Sequence, residues 1–307
     1  MSRHVSIDKE ALVRFATKLH EEGIQIPRWS NRYHLTSGTE EMVSYILVLD
    51  SINFCFWPEQ GKEKWEIEYG SEKLSGYYAL AAVLKKAVVS GIPITKAYWL
   101  AEMTLDELKK ILGGRGELQL LEDRLMALKE LGQVLLDEYD GKALHLVEAS
   151  QGSAVNLSLL LAEKLSSFRD VAEYSCFKVS FLKRAQIFAS DLFGAFGGKG
   201  SGNLNEIDRL SCFADYKLPQ VLRHLGIMQY SQTLAQKIDQ RILIEAQSAE
   251  EVEIRANTVW SVELLRRELQ AMGEDVRAFE IDWILWNMGQ STVCCEKPYH
   301  RTLTVYY

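Results

Sequence analysis

Three kinds of chemistry meet in one short run, residues 176–226. Lys183 and Arg184 form a basic pair. A phosphate group needs such donors, and an arginine can grip two of its oxygens at once. A glycine-rich turn with one lysine follows, Gly197-Gly198-Lys199-Gly200-Ser201-Gly202. Asp215 then stands between Phe213 and Tyr216, which would partly desolvate it and raise its pKa. Cations plus one carboxylate among aromatics suit an anionic, ring-bearing ligand. Each feature also has a plainer reading. On residue types alone Lys183-Arg184 reads first as a solvated helix face, with Arg184 paired to Asp191. On spacing alone Asp215 reads first as a helix cap, which contributes about 0.5–2 kcal/mol with no function attached. The glycine run is no P-loop, because Phe193 stands where the first glycine belongs and Gly200 follows the lysine.

Other candidates lie further out. Asp282 and Trp286 are four apart, as are Trp283 and Asn287, so an acid, an amide and two indoles share part of one late helix. Such a face could stack a heterocycle and accept its N–H groups; core tryptophans beside solvated polar groups are the plain alternative. His34, near Trp29 and Tyr33, is either a ligand contact or a surface histidine. The aromatic run Asn53-Phe54-Cys55-Phe56-Trp57-Pro58 reads as core, and apolar neighbours would raise the Cys55 thiol pKa too far for a nucleophile.

The elements that must position these groups are mostly helical. Apolar residues recur at helical spacing over 8–22, 77–90, 104–112, 117–139, 153–166, 231–246, 248–270 and 275–288. Phe181, Ala185, Phe188 and Leu192 give another helix one apolar face. Asp8 starts the first helix, and Thr104 with Glu107 forms a capping box. Asn203 with Glu206 reads as a second such box, opening a helix over Ile207, Leu210 and Phe213. Pro219 suits the first turn of the next helix and Gly226 its stop. Asp215 then falls at a helix–helix junction. Residues 39–70 differ: Lys64–Tyr69 alternates, which predicts a small β-ribbon after a helix or strand, and a helix through 39–52 is the open alternative. Residues 301–307 alternate like a strand or an extended tail.

The 307 residues are 47% hydrophobic, enough for a sizeable core, and no repeat or proline-rich linker divides them. The expectation is one mainly helical domain over 1–307 with a small β element at about 39–70. The net charge of −7 argues against a duplex nucleic-acid binder. No apolar run reaches a membrane span, and the first residues lack a signal-peptide core. Five cysteines without a CxxC fit a reducing cytoplasm. Six histidines without HxxxH or HExxH give no case for a metal.

Taken together the motifs resemble a known family, the queuosine salvage proteins that act as queuosine 5′-phosphate N-glycosylases. The resemblance rests on Asn53-Phe54-Cys55-Phe56-Trp57, Ser75-Gly76-Tyr77, Gly91-Ile92-Pro93-Ile94-Thr95, Val179 to Gln186, Phe213-Ala214-Asp215-Tyr216-Lys217-Leu218-Pro219-Gln220-Val221-Leu222, Glu251-Val252-Glu253-Ile254-Arg255, His300-Arg301 and Tyr306-Tyr307. It implies a mainly α fold like that of the helix-hairpin-helix DNA glycosylases. It implies hydrolysis of queuosine 5′-monophosphate to release the 7-deazaguanine base queuine, with no cofactor, no duplex nucleic acid and no membrane. Asp215 matches the presumed catalytic acid. Phe213, His34, Asp282 and Trp283, with Asn287 beside them, fall where the base pocket is expected, and Lys183 or Arg184 would meet the phosphate. One departure from DNA glycosylases is that Leu218-Pro219-Gln220 follows the acid and the hairpin glycines are missing. A nucleobase-binding protein with the same pocket and no turnover is the rival reading.

Overall fold

A computed structural model describes residues 2–291 and 296–307. Thirteen α-helices and three two-stranded antiparallel sheets are present among these residues, so the chain is mainly helical. No described helix is long and apolar enough to cross a membrane. Cys294 and Cys295, which enter the cysteine argument, lie outside the described residues.

The chain divides into two units. The first comprises Met1–Arg28, Asp170–Lys183 and Asp208–Thr304. Its core gathers apolar faces of the helices Lys9–Glu22, Lys217–His224, Gln232–Asp239, Ala249–Ala271 and Ala278–Met288, among them Leu12, Phe15, Leu222, Leu265 and Leu285. Truncating such a leucine costs about 2–5 kcal/mol. Local chemistry sets the helix starts. Asp8 accepts the Ala11 N–H, and Ser248 accepts the Glu251 N–H. Two ribbons belong to this unit: Val5–Ile7 with Met228–Tyr230, and Val171–Tyr174 with Phe177–Ser180.

The second unit comprises Trp29–Arg169, Arg184–Ile207 and Val305–Tyr307. The capping box at Thr104 forms as expected, with Glu107 accepting the Thr104 N–H and Thr104 accepting the Glu107 N–H. Gly132 is required where the helices Ala97–Glu102 and Leu121–Glu138 touch, since a Cβ there would lie 2.4 Å from the Ala101 nitrogen. The ribbon is Glu66–Tyr69 with Glu72–Ser75.

Several expectations need correction. Residues 40–51 are a helix, so the helical alternative for that segment holds and the ribbon is confined to 66–75. The helix expected to open at Asn203 does not form. Only a short 3₁₀ turn occurs at Ile207–Arg209. Glu206 has φ 58°, which is incompatible with a helical N3 position, and its carboxylate accepts the Ser153 hydroxyl instead of closing a box. The helix from Gln232 stops at Asp239 rather than 246, because Arg241 turns left-handed. The short helices Ala97–Glu102 and Ala143–Ala149 were not expected. Residues 301–307 form no strand; Arg301 makes an isolated bridge with Leu243.

Candidate active site

Asp215 closes an irregular loop, 210–216, that enters the helix Lys217–His224. One carboxylate oxygen, Oδ1, accepts the N–H of Lys217 at 2.7 Å and that of Leu218 at 2.9 Å. These are two of the orphan donors of the helix N-terminus, so the helix end and its dipole hold the charge. Among the described residues no hydrogen bond is made to Oδ2. The cap geometry and a charge held ready for chemistry are therefore the same geometry seen from two oxygens. Asp215 is buried. Burial pushes its pKa above the ordinary aspartate value; the Lys183 ammonium, the two backbone N–H groups and the Lys217 charge pull it back.

A buried loop leaves backbone groups that need partners. Two helices supply them. Asp282, on Ala278–Met288, accepts the Phe213 N–H at 2.7 Å. Arg255, on Ala249–Ala271, donates from Nε to the Ala214 carbonyl at 3.0 Å. The two groups thus grip the two residues before Asp215. Cys212 is unfit as a nucleophile: burial, then the charges of Asp282 and Asp215, push its thiol pKa well up. Beyond the acid, Lys217 sends Nζ to the Gly289 carbonyl at 3.2 Å, and the rings of Tyr216 and Tyr299 lie 4.8 Å apart.

Lys183 is buried, opens the helix Lys183–Phe196, and acts electrostatically on Asp215. Its N–H is held by Asp170 Oδ2 at 3.1 Å. Lys183, Phe213, Asp215 and Asp282 are therefore brought together in the first unit, with Trp283 beside them on the helix, half-buried and edge-on to Phe279 at 5.1 Å. Asn287 is not brought to that group. It is exposed, and its amide is spent on the Trp283 carbonyl at 2.8 Å. Asp282 and Asn287 thus do not share one crowded face.

His34 and Arg184 belong to the second unit. His34 is buried, not a surface histidine. Its Nδ1 lies 2.7 Å from the Ser30 carbonyl and its Nε2 3.0 Å from the Tyr77 hydroxyl, and its ring stacks at 4.2 Å on Trp29. A carbonyl only accepts, so Nδ1 carries the proton. Desolvation lowers the pKa to about 4, and the ring is neutral at working pH. The solvated-face reading of Arg184 fails, because its guanidinium is buried and donates to the carbonyls of Asp50, Ser51 and Ser167. Lys199 is exposed on an ordinary turn. The aromatic run is core, with Phe54, Phe56 and Trp57 buried.

Sequence reading missed Arg255 and Asp170. The one signal for the arginine was Glu251 four residues before it, a helical ion-pair spacing. Asp170 carried no local signal.

A buried carboxylate on this loop lies within electrostatic reach of a buried lysine at the start of another helix, an arrangement that can serve acid–base or electrostatic chemistry. Residues 33–307 match the family model for the queuosine salvage protein. A Sphaerobacter thermophilus protein named queuosine 5′-phosphate N-glycosylase/hydrolase is 44% identical over 303 residues, covering 99% of this chain and 93% of that one. Proteins of the same name from Bos taurus and Schizosaccharomyces pombe are 35% and 31% identical, covering 100% and 94% of this chain and 95% and 88% of theirs. The chain belongs to the queuosine salvage protein family.

Proposed function

We propose that this chain is a nucleotide N-glycosylase that hydrolyses queuosine 5′-phosphate to queuine and ribose 5-phosphate. The names of its full-length relatives support the reaction. The observation that carries the site assignment is the divided carboxylate of Asp215, with Oδ1 locked by two N–H groups and Oδ2 left for substrate or water. Breaking the bond from C1′ to the base builds positive charge on the ribose. A fixed, partly desolvated carboxylate stabilises that charge and orients the water that adds to C1′. The base departs with the bonding electrons and takes a proton. Lys183 is assigned the 5′-phosphate, and Arg184, committed to carbonyls, supports the chain behind it. Phe213 and Trp283 are assigned base contacts. Asp282, which accepts the Phe213 N–H, is assigned the ammonium of queuine. His34, neutral, is kept as a hydrogen-bonding candidate within its own unit, and Asn287 as a residue at the margin of the base contacts.

The same reading includes a fold related to the helix-hairpin-helix DNA glycosylases and a chain acting as one functional domain over 1–307. It needs no cofactor or metal, uses neither duplex nucleic acid nor membrane, and places the enzyme in the cytoplasm. The test is mass spectrometry of queuosine 5′-monophosphate incubated with the protein, beside its dephosphorylated nucleoside. Free queuine from the nucleotide is the expected result. Tight binding without base release would instead favour a carrier protein.

A further inference from the structure

The Arg255 guanidinium does more than satisfy the Ala214 carbonyl. Its NH1 and NH2 form a bidentate pair with Asp170 at 2.8 and 2.6 Å, and NH1 lies 3.5 Å from Glu251 one turn earlier on the same helix. The Phe181 ring lies beneath it, 4.0 Å from ring centre to guanidinium carbon. Asp170 in turn holds the chain that leads into Lys183. Its carbonyl accepts the N–H groups of Phe181 and Leu182, and its Oδ2 accepts that of Lys183. Between those residues Leu182 has φ 49°, a left-handed conformation that a leucine rarely adopts. Backbone held there against its preference marks a place where geometry is imposed by the surroundings.

One planar group therefore touches the residue next to Asp215 on one side and the carboxylate that anchors Lys183 on the other. A buried ion pair is poor value as a stabiliser, because desolvation cancels much of the attraction. What it supplies is a fixed distance between groups. Arginine suits that task, since its donors are set in a rigid fork, whereas a lysine offers one flexible point charge.

We propose that Arg255 is a positioning residue that fixes the spacing between Asp215 and Lys183, and so matches the enzyme to the distance from C1′ to the 5′-phosphate of its substrate. The proposal rests on the functional reading above and goes beyond it. It makes the preference for nucleotide over nucleoside depend on a residue that touches neither the ribose nor the phosphate.

The experiment measures base release from queuosine 5′-monophosphate and from queuosine for the wild type, Lys183→Ala, Arg255→Lys and the double variant. Arg255→Lys keeps the charge and loses the fork. Its ratio of nucleotide to nucleoside rates should fall about tenfold or more, in line with one misplaced charge-assisted hydrogen bond. The double variant should show no lower ratio than Lys183→Ala alone, because the two act on one interaction. If Arg255→Lys does not fold, Asp170→Asn loosens the same link with the side-chain volume kept, and the same ratio is read. Equal losses on both substrates would overturn the proposal, since a merely structural arginine lowers both rates together. A wild type that acts on the nucleotide while Arg255→Lys keeps the full ratio sinks the positioning role alone. A wild type that releases no queuine sinks the functional reading, and this proposal with it.

Discussion

Two buried arginine clusters, one in each unit, are built from different partners. In the second unit Arg124 donates to the carbonyls of Gln119, Ile52, Phe54 and Cys55, and Arg184 to those of Asp50, Ser51 and Ser167. Both guanidinium groups also stack on Phe54, at 4.3 and 4.9 Å. In the first unit Arg255 takes one carbonyl and otherwise pairs with the carboxylates of Asp170 and Glu251. Asp215 and Asp282 lie on the loop it supports or bond to it. The second unit's cluster takes up the last carbonyls of the helix Glu40–Ser51 and those of the irregular stretch that follows it. The first unit's cluster concentrates acids where burial makes their charge costly. Burial raises the Asp215 carboxyl while two helix N–H groups hold it, and that combination is what the proposed reading draws on.

The largest test of this contrast is Asp215→Asn. The substitution keeps size and the two N–H contacts and removes the charge. Turnover should fall by roughly two to four orders of magnitude, while nucleotide binding stays within about tenfold, because the charge acts on the transition state. Single-turnover base release and calorimetry check the two halves. Wild-type-like release would return Asp215 to the role of a cap.

Arg124→Met tests the other side. It takes a donor from four buried carbonyls, those of Gln119, Ile52, Phe54 and Cys55, each worth about 1–3 kcal/mol, so the summed loss of stability should be about 4 kcal/mol or more. Urea unfolding measures it. If instead the variant stays stable and turnover collapses, the second unit's network is functional and the contrast breaks.

Lys183→Ala should lower activity on the nucleotide by about ten- to a hundredfold and on the nucleoside far less, as the loss of one charged hydrogen bond implies. Equal losses would remove Lys183 from the phosphate.

The periodic helices of both units were legible because 3.6-residue spacing survives any tertiary context. Ala97–Glu102 and Ala143–Ala149 were not, since six or seven residues hold too few turns to show a period. The false capping box at Asn203 had the right residue types, but Glu206 was claimed by Ser153, 53 positions away. The ribbon Val171–Ser180 carries exposed Glu173, Phe177 and Lys178 and so lacks clean alternation. Asp215, Phe213, Lys183 and Asp282, singled out in the sequence, are brought near one another in the first unit. Arg255 stood in a resembling segment but was given no role and Asp170 was not singled out: they are 85 positions apart, and only folding makes them a pair.

The smallest expected effect sharpens the contrast through pH. The Asp215 pKa is raised in the folded protein, chiefly by desolvation. A raised carboxyl pKa means that folding favours the protonated form, so stability is full below the ordinary aspartate pKa and is lost as pH rises through the folded value. At neutral pH the wild type therefore carries a cost that the Asn variant lacks. The thermal midpoint of Asp215→Asn should lie slightly above that of the wild type near pH 7.5, and the two should converge in acid, where the aspartate is itself neutral. Glu253 gives the opposite sign. Burial pushes its carboxyl up, but the hydroxyls of Ser2 and Tyr174 and the N–H groups of Arg3 and His4 bring it down to about 2. Glu253→Gln should thus lose stability at neutral pH, by about 1.5–3 kcal/mol for its charged hydrogen bonds. That loss should shrink as pH falls from the ordinary glutamate value toward 2. Two buried acids of one unit would then respond to neutralisation in opposite directions, one releasing strain and one losing an anchor. Catalysis should follow Asp215 alone: the acid limb of kcat/KM should lie above the ordinary aspartate pKa and be untouched by Glu253→Gln. An acid limb that moves with Glu253 instead would mean that the anchor of the N-terminal strand, not the buried loop, sets the working pH.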